Sequence, residues 1–283
     1  MNKVPFINNY EINFLPFKKV KNYGVEIKNW DNNILKTNMH YEIEVECIDY
    51  KNQYFTFEIN QKQVYINNII PDTKIEKLVY QAGKTLYPLQ ISVNQFGQIE
   101  SIKNHKNTKL RWISEKENLK NYYTGQKVQK IIDSIDEILL NENTLLRSLY
   151  KNWFFTLFFS PLYISYTDSL NRVIQRNYPI FGDKTASFKA THTISNYCSP
   201  KNKVLIKAIG KTNDPRTIHE VLNGDSTLKY QLSKTTLMPI NCEFEIEYVL
   251  NALDRSINLI TANFLTRIDQ TITKKTSIEI CEL

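Results

Sequence analysis

The chain has 283 residues, 42% apolar and 23% charged, with seventeen Tyr and fourteen Phe against seven Gly. That length is ample for a core, and the aromatic content argues against a disordered chain. The net charge is +7, but lysines spread along the whole chain and the densest run is Lys18-Lys19-Val20-Lys21; a diffuse bias is a solvated basic surface, whereas nucleic-acid binding gathers its cations on one face.

The first forty residues are Asn-rich and irregular, and they lack the unbroken apolar run of a signal peptide. Tyr41, Ile43, Val45 and Cys47 then alternate with Glu42, Glu44 and Glu46, the period-two pattern of a half-buried strand. Tyr54–Ile59 and Gln63–Ile66 read as its antiparallel neighbours, joined by a turn at Asn60-Gln61-Lys62. Thr73-Lys74-Ile75-Glu76 is a capping box that opens a helix with Ile75, Leu78 and Val79 on its buried side and Gly83 at its end. In ISVNQFGQIESIKN (91–104), two short apolar runs flank Gly97, which can take positive φ; the pattern is a hairpin with Ile91, Val93 and Ile102 inward.

Ser114-Glu115-Lys116-Glu117 is a second capping box. Val128, Ile131, Ile132, Ile135, Ile138 and Leu139 follow at helical spacing, and Asn141-Glu142-Asn143 breaks the run. Leu145, Leu146, Leu149, Trp153, Phe154 and Phe158 mark a second helix closed by Ser160-Pro161, so an antiparallel helix pair is expected. The remainder reads as strands at 162–166, 172–178, 188–194, 204–209, 228–232, 243–250, 257–264 and 276–281. One helix interrupts them, with Asp214 as cap, Pro215 as first residue and Gly224 as stop.

Two stretches repeat earlier ones. Tyr41–Cys47 resembles Cys242–Tyr248, and Ile91–Asn104 resembles Tyr248–Asn263. An internal duplication and the ordinary likeness of strands with one wet face both produce such echoes. The alternating glutamates, about 7 Å apart along each strand, read as a solvated face opposite lysines; acid–base or cation chemistry needs burial or a close like charge.

Chemical motifs are scarce. The cysteines, Cys47, Cys198, Cys242 and Cys281, have no CxxC spacing, and the histidines, His40, His105, His192 and His219, include no pair four residues apart. His192 lies in an alternating strand and reads as a core histidine with one hydrogen bond. Val204–Thr212 ends in Gly-Lys-Thr, but position 205 is Leu where a phosphate-binding loop needs its first glycine. The aromatic run Trp153–Phe159 with Tyr163 and Tyr166 is core on one face and, all round, a helix wrapped by sheet.

The reading is an α+β fold in which a large curved antiparallel sheet of meander hairpins, half-barrel-like, packs on a central helical segment. One unit is expected over 1–283: 1–40 irregular, 41–104 β-rich, 114–159 helical, and 162–283 β-rich with one short helix. No catalytic, cofactor or metal residues are assigned. The expected function is non-enzymatic binding through protein–protein contacts, by sheet edges or an exposed aromatic patch, in a bacterial assembly or as a toxin-neutralising protein. The alternative is a carrier of an apolar ligand or lipid in a half-barrel cavity, and the third reading is an unrecognised enzyme. Trp153, Phe155, Phe159, Tyr163 and Tyr166 are the candidate apolar ligand or partner surface. A protein partner or homo-oligomer is expected, without nucleic acid, cofactor or membrane span, in the cytoplasm unless a leader has been trimmed.

Overall fold

The computed structural model describes residues 2–7, 10–15, 19–222, 239–268 and 271–283. Strands with one apolar and one charged face add side by side until the apolar face is covered. Here eleven of them form one antiparallel sheet. The first half comprises β1 (Lys21–Asp31), β2 (Ile34–Lys51), β3 (Tyr54–Ile66), helix α1 (Lys74–Lys84), β4 (Leu89–Val93) and β5 (Ile99–Ile102). Helices α2 (His105–Tyr122), α3 (Gln126–Ile138), α4 (Glu142–Leu149) and α5 (Trp153–Phe158) follow. The second half is β6 (Asn171–Phe181), β7 (Lys184–Ile194), β8 (Lys203–Thr212), α6 (Ile218–Leu222), β9 (Asn241–Asn251), β10 (Ile257–Arg267) and β11 (Thr273–Glu282).

The sheet order is β5-β4-β3-β2-β1-β11-β10-β9-β8-β7-β6. The chain therefore meanders outward from the middle, crosses from the β5 edge to the β6 edge through four helices, and meanders back. β11 closes the middle against β1, with Val25 opposite Ile280 and Ile27 opposite Ile278. The sheet is curved and not closed into a barrel.

The inner face carries the core, including Tyr23, Ile43, Phe57, Tyr248 and Ile280. The outer face carries the charges. Lys62 pairs with Glu44 (3.1 Å) and Glu42 (3.6 Å), and Lys207 pairs with Glu245 (2.6 Å). Glu243 meets Arg267 (3.3 Å) and Lys211 (3.8 Å). The two glutamate rows are thus solvated cross-strand ladders.

Helix α5 fills the hollow. Phe154, Phe155 and Leu157 are buried, with Phe159 just beyond, and each phenyl removed from water contributes about 2–3 kcal/mol. The Phe158 ring meets Tyr23 (centroids 4.9 Å apart) and the Trp153 ring meets Phe264 (4.7 Å). The sheet floor is thin where this packing is densest, at Ala190, Ala208, Gly210 and Ala262. A Cβ on Gly210 would lie 2.6 Å from the Phe244 ring.

Several expectations change. The Asn-rich start holds β1 and the beginning of β2, because Tyr23, Val25 and Ile27 alternate inward among the asparagines. The expected turn at Asn60-Gln61-Lys62 is continuous strand: Asn60 and Gln61 pair with Glu44 and Ile43, and a bulge follows between Gln61 and Val64, opposite Tyr41–Ile43. The capping box at Thr73 forms as expected, whereas Ser114 lies inside α2, which begins at His105. The second apolar helix is two helices, α4 and α5, each capped by an asparagine, Asn141 and Asn152. Residues 162–166 form no strand. Asp214 does not cap α6; Thr217 and Glu220 do, by exchanging hydrogen bonds. The strand expected at 228–232 and the stop at Gly224 lie outside the described residues.

The hairpin at 91–104 forms, with Ile91 and Val93 fully buried and Ile102 nearly so. Asn94 Oδ1 accepts from the N–H groups of Phe96 and Gln98, both at 3.0 Å, and shapes the turn. Gly97 has φ of +89°, and a Cβ there would sit 2.8 Å from the Tyr163 ring. The Tyr163 hydroxyl donates to Arg255 O (2.8 Å) in the β9–β10 turn, so one side chain ties the two turns together. Gly97→Ala should cost about 3 kcal/mol, from the disfavoured φ and the lost seat of Tyr163. A urea titration by circular dichroism checks this; an unchanged midpoint would show that Tyr163 does not need the glycine.

Candidate functional site

The five aromatic residues expected to form a surface have separate places. Phe155, Phe159, Tyr163 and Tyr166 are buried in the core, and Trp153 is half-buried over Phe264. Burial raises the hydroxyl pKa values of Tyr163 and Tyr166. Phe159 and Tyr163 line a small cavity of about 40 Å³ at one end of the half-barrel, together with Tyr23, Phe57, Phe158 and Phe14. Phe155, Tyr166 and Trp153 do not reach it.

The second opening is the seam where the sheet fails to close. The outer edge of β5 is sealed by side chains near α4. Glu142 accepts from Ile102 N–H (2.9 Å), and the Tyr150 hydroxyl donates to Ile99 O (2.9 Å). The outer edge of β6 has no strand partner among the described residues. Between them runs an open groove of about 620 Å³, lined on the helical side by Arg147, Tyr150 and Lys151. Gln175, Arg176 and Asn177 of β6 and Thr185 and Ser187 of β7 form its other wall. The lining holds three cations and no carboxylate.

Two features support that wall. Arg216 grips Asp214 with two bonds, of 2.9 and 2.7 Å, and donates to Thr185 O (2.9 Å). Asp214 also accepts from Ser187 N–H (2.9 Å). The Arg216 guanidinium and these amides hold the Asp214 carboxyl down to about 2. Behind Arg176 lies a cluster of buried polar groups. The Arg176 Nη2 donates to Thr156 O (3.2 Å). Its Nε, both ring nitrogens of His192, the hydroxyls of Tyr178 and Tyr248, and the Ser160 hydroxyl have no hydrogen-bond partner. Ser160 lies within reach of Tyr248 and Arg176 within reach of Tyr178, but in neither case is a hydrogen bond of normal geometry made.

His192 therefore lacks the one hydrogen bond expected of it. Burial, and then the Arg176 charge, push its pKa down to about 4, so it is neutral near pH 7.

The seam residues were not singled out from sequence. Their signal was Asn171-Arg-Val-Ile-Gln-Arg-Asn177, polar on both faces, followed by Pro179. Proline and two-sided polarity are the marks of an edge strand.

No family model matches the chain, and no curated protein matches it. Among solved structures, 95% of the chain aligns with one describing lipid–protein interactions in lipovitellin, at 9% identity and a TM-score of 0.48. The chain spans about a quarter of that chain's length, 25%.

His192 ties stability to pH. The unfolded chain binds a proton at this group below its ordinary pKa of 6.5, while the folded chain resists until about 4. Its contribution is complete above 6.5 and is lost as the pH falls toward 4, by about 3 kcal/mol in all. His192→Leu should remove that slope and leave stability at pH 7 unchanged or higher, since it deletes two unsatisfied buried nitrogens. Urea midpoints at pH 7, 5.5 and 4 test this, and parallel curves for the two proteins would discard the assignment.

Proposed function

We propose that the chain is a non-enzymatic binding protein, and that an extended, acidic segment of a protein partner adds to the free edge of β6 and lies in the seam groove. The observation that carries this reading is the unpaired edge of β6 beside a groove lined by Arg147, Lys151 and Arg176. A free edge offers backbone N–H and C=O groups in the spacing of another strand. The three cations of the lining, of which Lys151 also lies 3.6 Å from Asp183, favour acidic side chains on that strand. Nucleic acid has no backbone that pairs with a strand edge. A second copy of this chain would set arginine against arginine, so the partner is a different chain.

A carrier that encloses a whole lipid inside the hollow has less support. A pocket enclosing a lipid has a volume of roughly 300–1,000 Å³, while the hollow of this sheet is filled by α5 and retains about 40 Å³.

The probe is a fluorescein-labelled peptide of alternating Val and Glu, titrated into the full chain at low salt. We expect saturable binding that weakens about tenfold with Arg147→Glu and Lys151→Glu combined. N-methylation of alternate peptide bonds should abolish it, because it removes the edge-pairing donors and leaves the charges. Equal binding of the N-methylated peptide, or stronger binding of an oligonucleotide of the same charge, would refute the reading.

A further inference from the structure

At the mouth of the half-barrel two spaces are nested. The inner cavity of about 40 Å³ and an open outer groove of about 570 Å³ share Phe14, Cys47 and Tyr163 in their walls. The Phe14 ring lies between them, its centroid 4.4 Å from Tyr163, 4.8 Å from Phe55 and 5.9 Å from Phe57. Leu15, Tyr50, Phe96 and Leu253 rim the outer groove, and all four are exposed. Single exposed apolar residues are ordinary, but four around one opening mark a binding surface.

The segment that carries Phe14 is tied by backbone bonds only as far as Glu11. Tyr10 O accepts from Tyr166 N–H (3.3 Å) and Glu11 O accepts from Ile7 N–H (2.8 Å). Beyond them, residues 12–15 make no hydrogen bond to any described residue. Ile12 is fully buried and Phe14 is half-buried. A contact made only of apolar area can be exchanged for another apolar group of similar area without leaving an unpaired backbone group.

The polar end of the inner cavity is also defined. Lys21 is occupied, by Glu282 (2.8 Å), Asp254 (3.6 Å) and the Ser256 hydroxyl (2.8 Å). Lys19 lines the same cavity, is exposed, and has no ion pair with a described residue.

We infer that this mouth binds a single-chain fatty acid, whose hydrocarbon chain takes the place of Phe14 between the two spaces and whose carboxylate pairs with Lys19. With the Phe14 ring displaced, its place and the inner cavity take the first methylenes of one chain, and the open outer groove with its apolar rim receives the rest. The site shares no lining residue with the seam groove, so it stands apart from the proposed partner site.

The test is calorimetric titration of the full chain with palmitate, palmitate methyl ester and phosphatidylglycerol vesicles. Palmitate should bind one to one. Phe14→Ala should bind it about tenfold more tightly, since the competing ring is gone, and Phe14→Leu should fall between the two. Lys19→Glu should weaken palmitate about fivefold and leave the methyl ester unchanged. Failure of both the unaltered chain and Phe14→Ala to bind palmitate overturns the inference. So does Phe14→Ala binding no tighter, or binding confined to vesicles, which would make the rim a membrane contact.

Discussion

An open, curved sheet with one apolar face must have its hollow filled, and the rest of this structure follows from how that is done. The filling comes from the segment that joins the two sheet edges. In crossing from β5 to β6 the chain passes through the hollow, and the run Trp153-Phe-Phe-Thr-Leu-Phe-Phe159 is apolar nearly all round because sheet surrounds it. The floor answers with alanines and a glycine where the rings are thickest. Close packing of this kind leaves little empty volume. The pairing of β1 with β11 adds a second constraint, because the middle of the sheet joins the most distant parts of the chain. Long-range pairs carry a high loop-closure cost, and this central ladder needs strands from both halves of the chain.

The seam is the remainder of that arrangement. A meander that starts and ends in its own middle has two outer edges, and the crossing helices cover only one. Glu142 and Tyr150 satisfy the β5 edge with side chains, a covering that costs no additional strand. The β6 edge is left with the usual defences against indiscriminate pairing: Pro179, the register shift between Tyr178 and Phe181, and arginines. Those defences also restrict the partner. The arginines turn away basic strands and the proline ends the usable edge, so protection and selectivity come from the same residues.

Much of this was legible in the sequence where pattern and burial agree. The Glu42–Glu46 alternation, the Thr73 capping box and the hairpin around Gly97 each combine a local signal with the environment that the signal implies. The failures have physical causes. Asparagine composition hid β1, although Tyr23, Val25 and Ile27 carried the period. A bulge in β3 imitates a turn, because both interrupt alternation with polar residues. Asp214-Pro215 has the look of a helix start, but tertiary bonds to Ser187 and Arg216 claimed the carboxylate. His192 was read as a core residue with one hydrogen bond; it is buried as expected, but the Arg176 charge that acts on it is brought near only in three dimensions. The seam and the mouth are both made by residues far apart in the chain, so neither has a motif.

The two sequence echoes gain a definite explanation. Tyr41–Cys47 lies in β2 and Ile91–Asn104 spans β4 and β5, yet both resemble segments that begin in β9. A single duplication that maps β2 onto β9 would map β4 onto β11, so it cannot produce both. Alternation with one wet face accounts for the first echo. For the second there is a shared position: Gly97 and Arg255, each at the tip of its hairpin, are joined through Tyr163 at the mouth of the half-barrel. Gly97 takes its positive φ freely, while Arg255 takes φ of +58° with Asp254 bonded to the Ser256 N–H. Two different turn chemistries thus serve one aromatic side chain, and the likeness between the hairpins reflects what each must pack against.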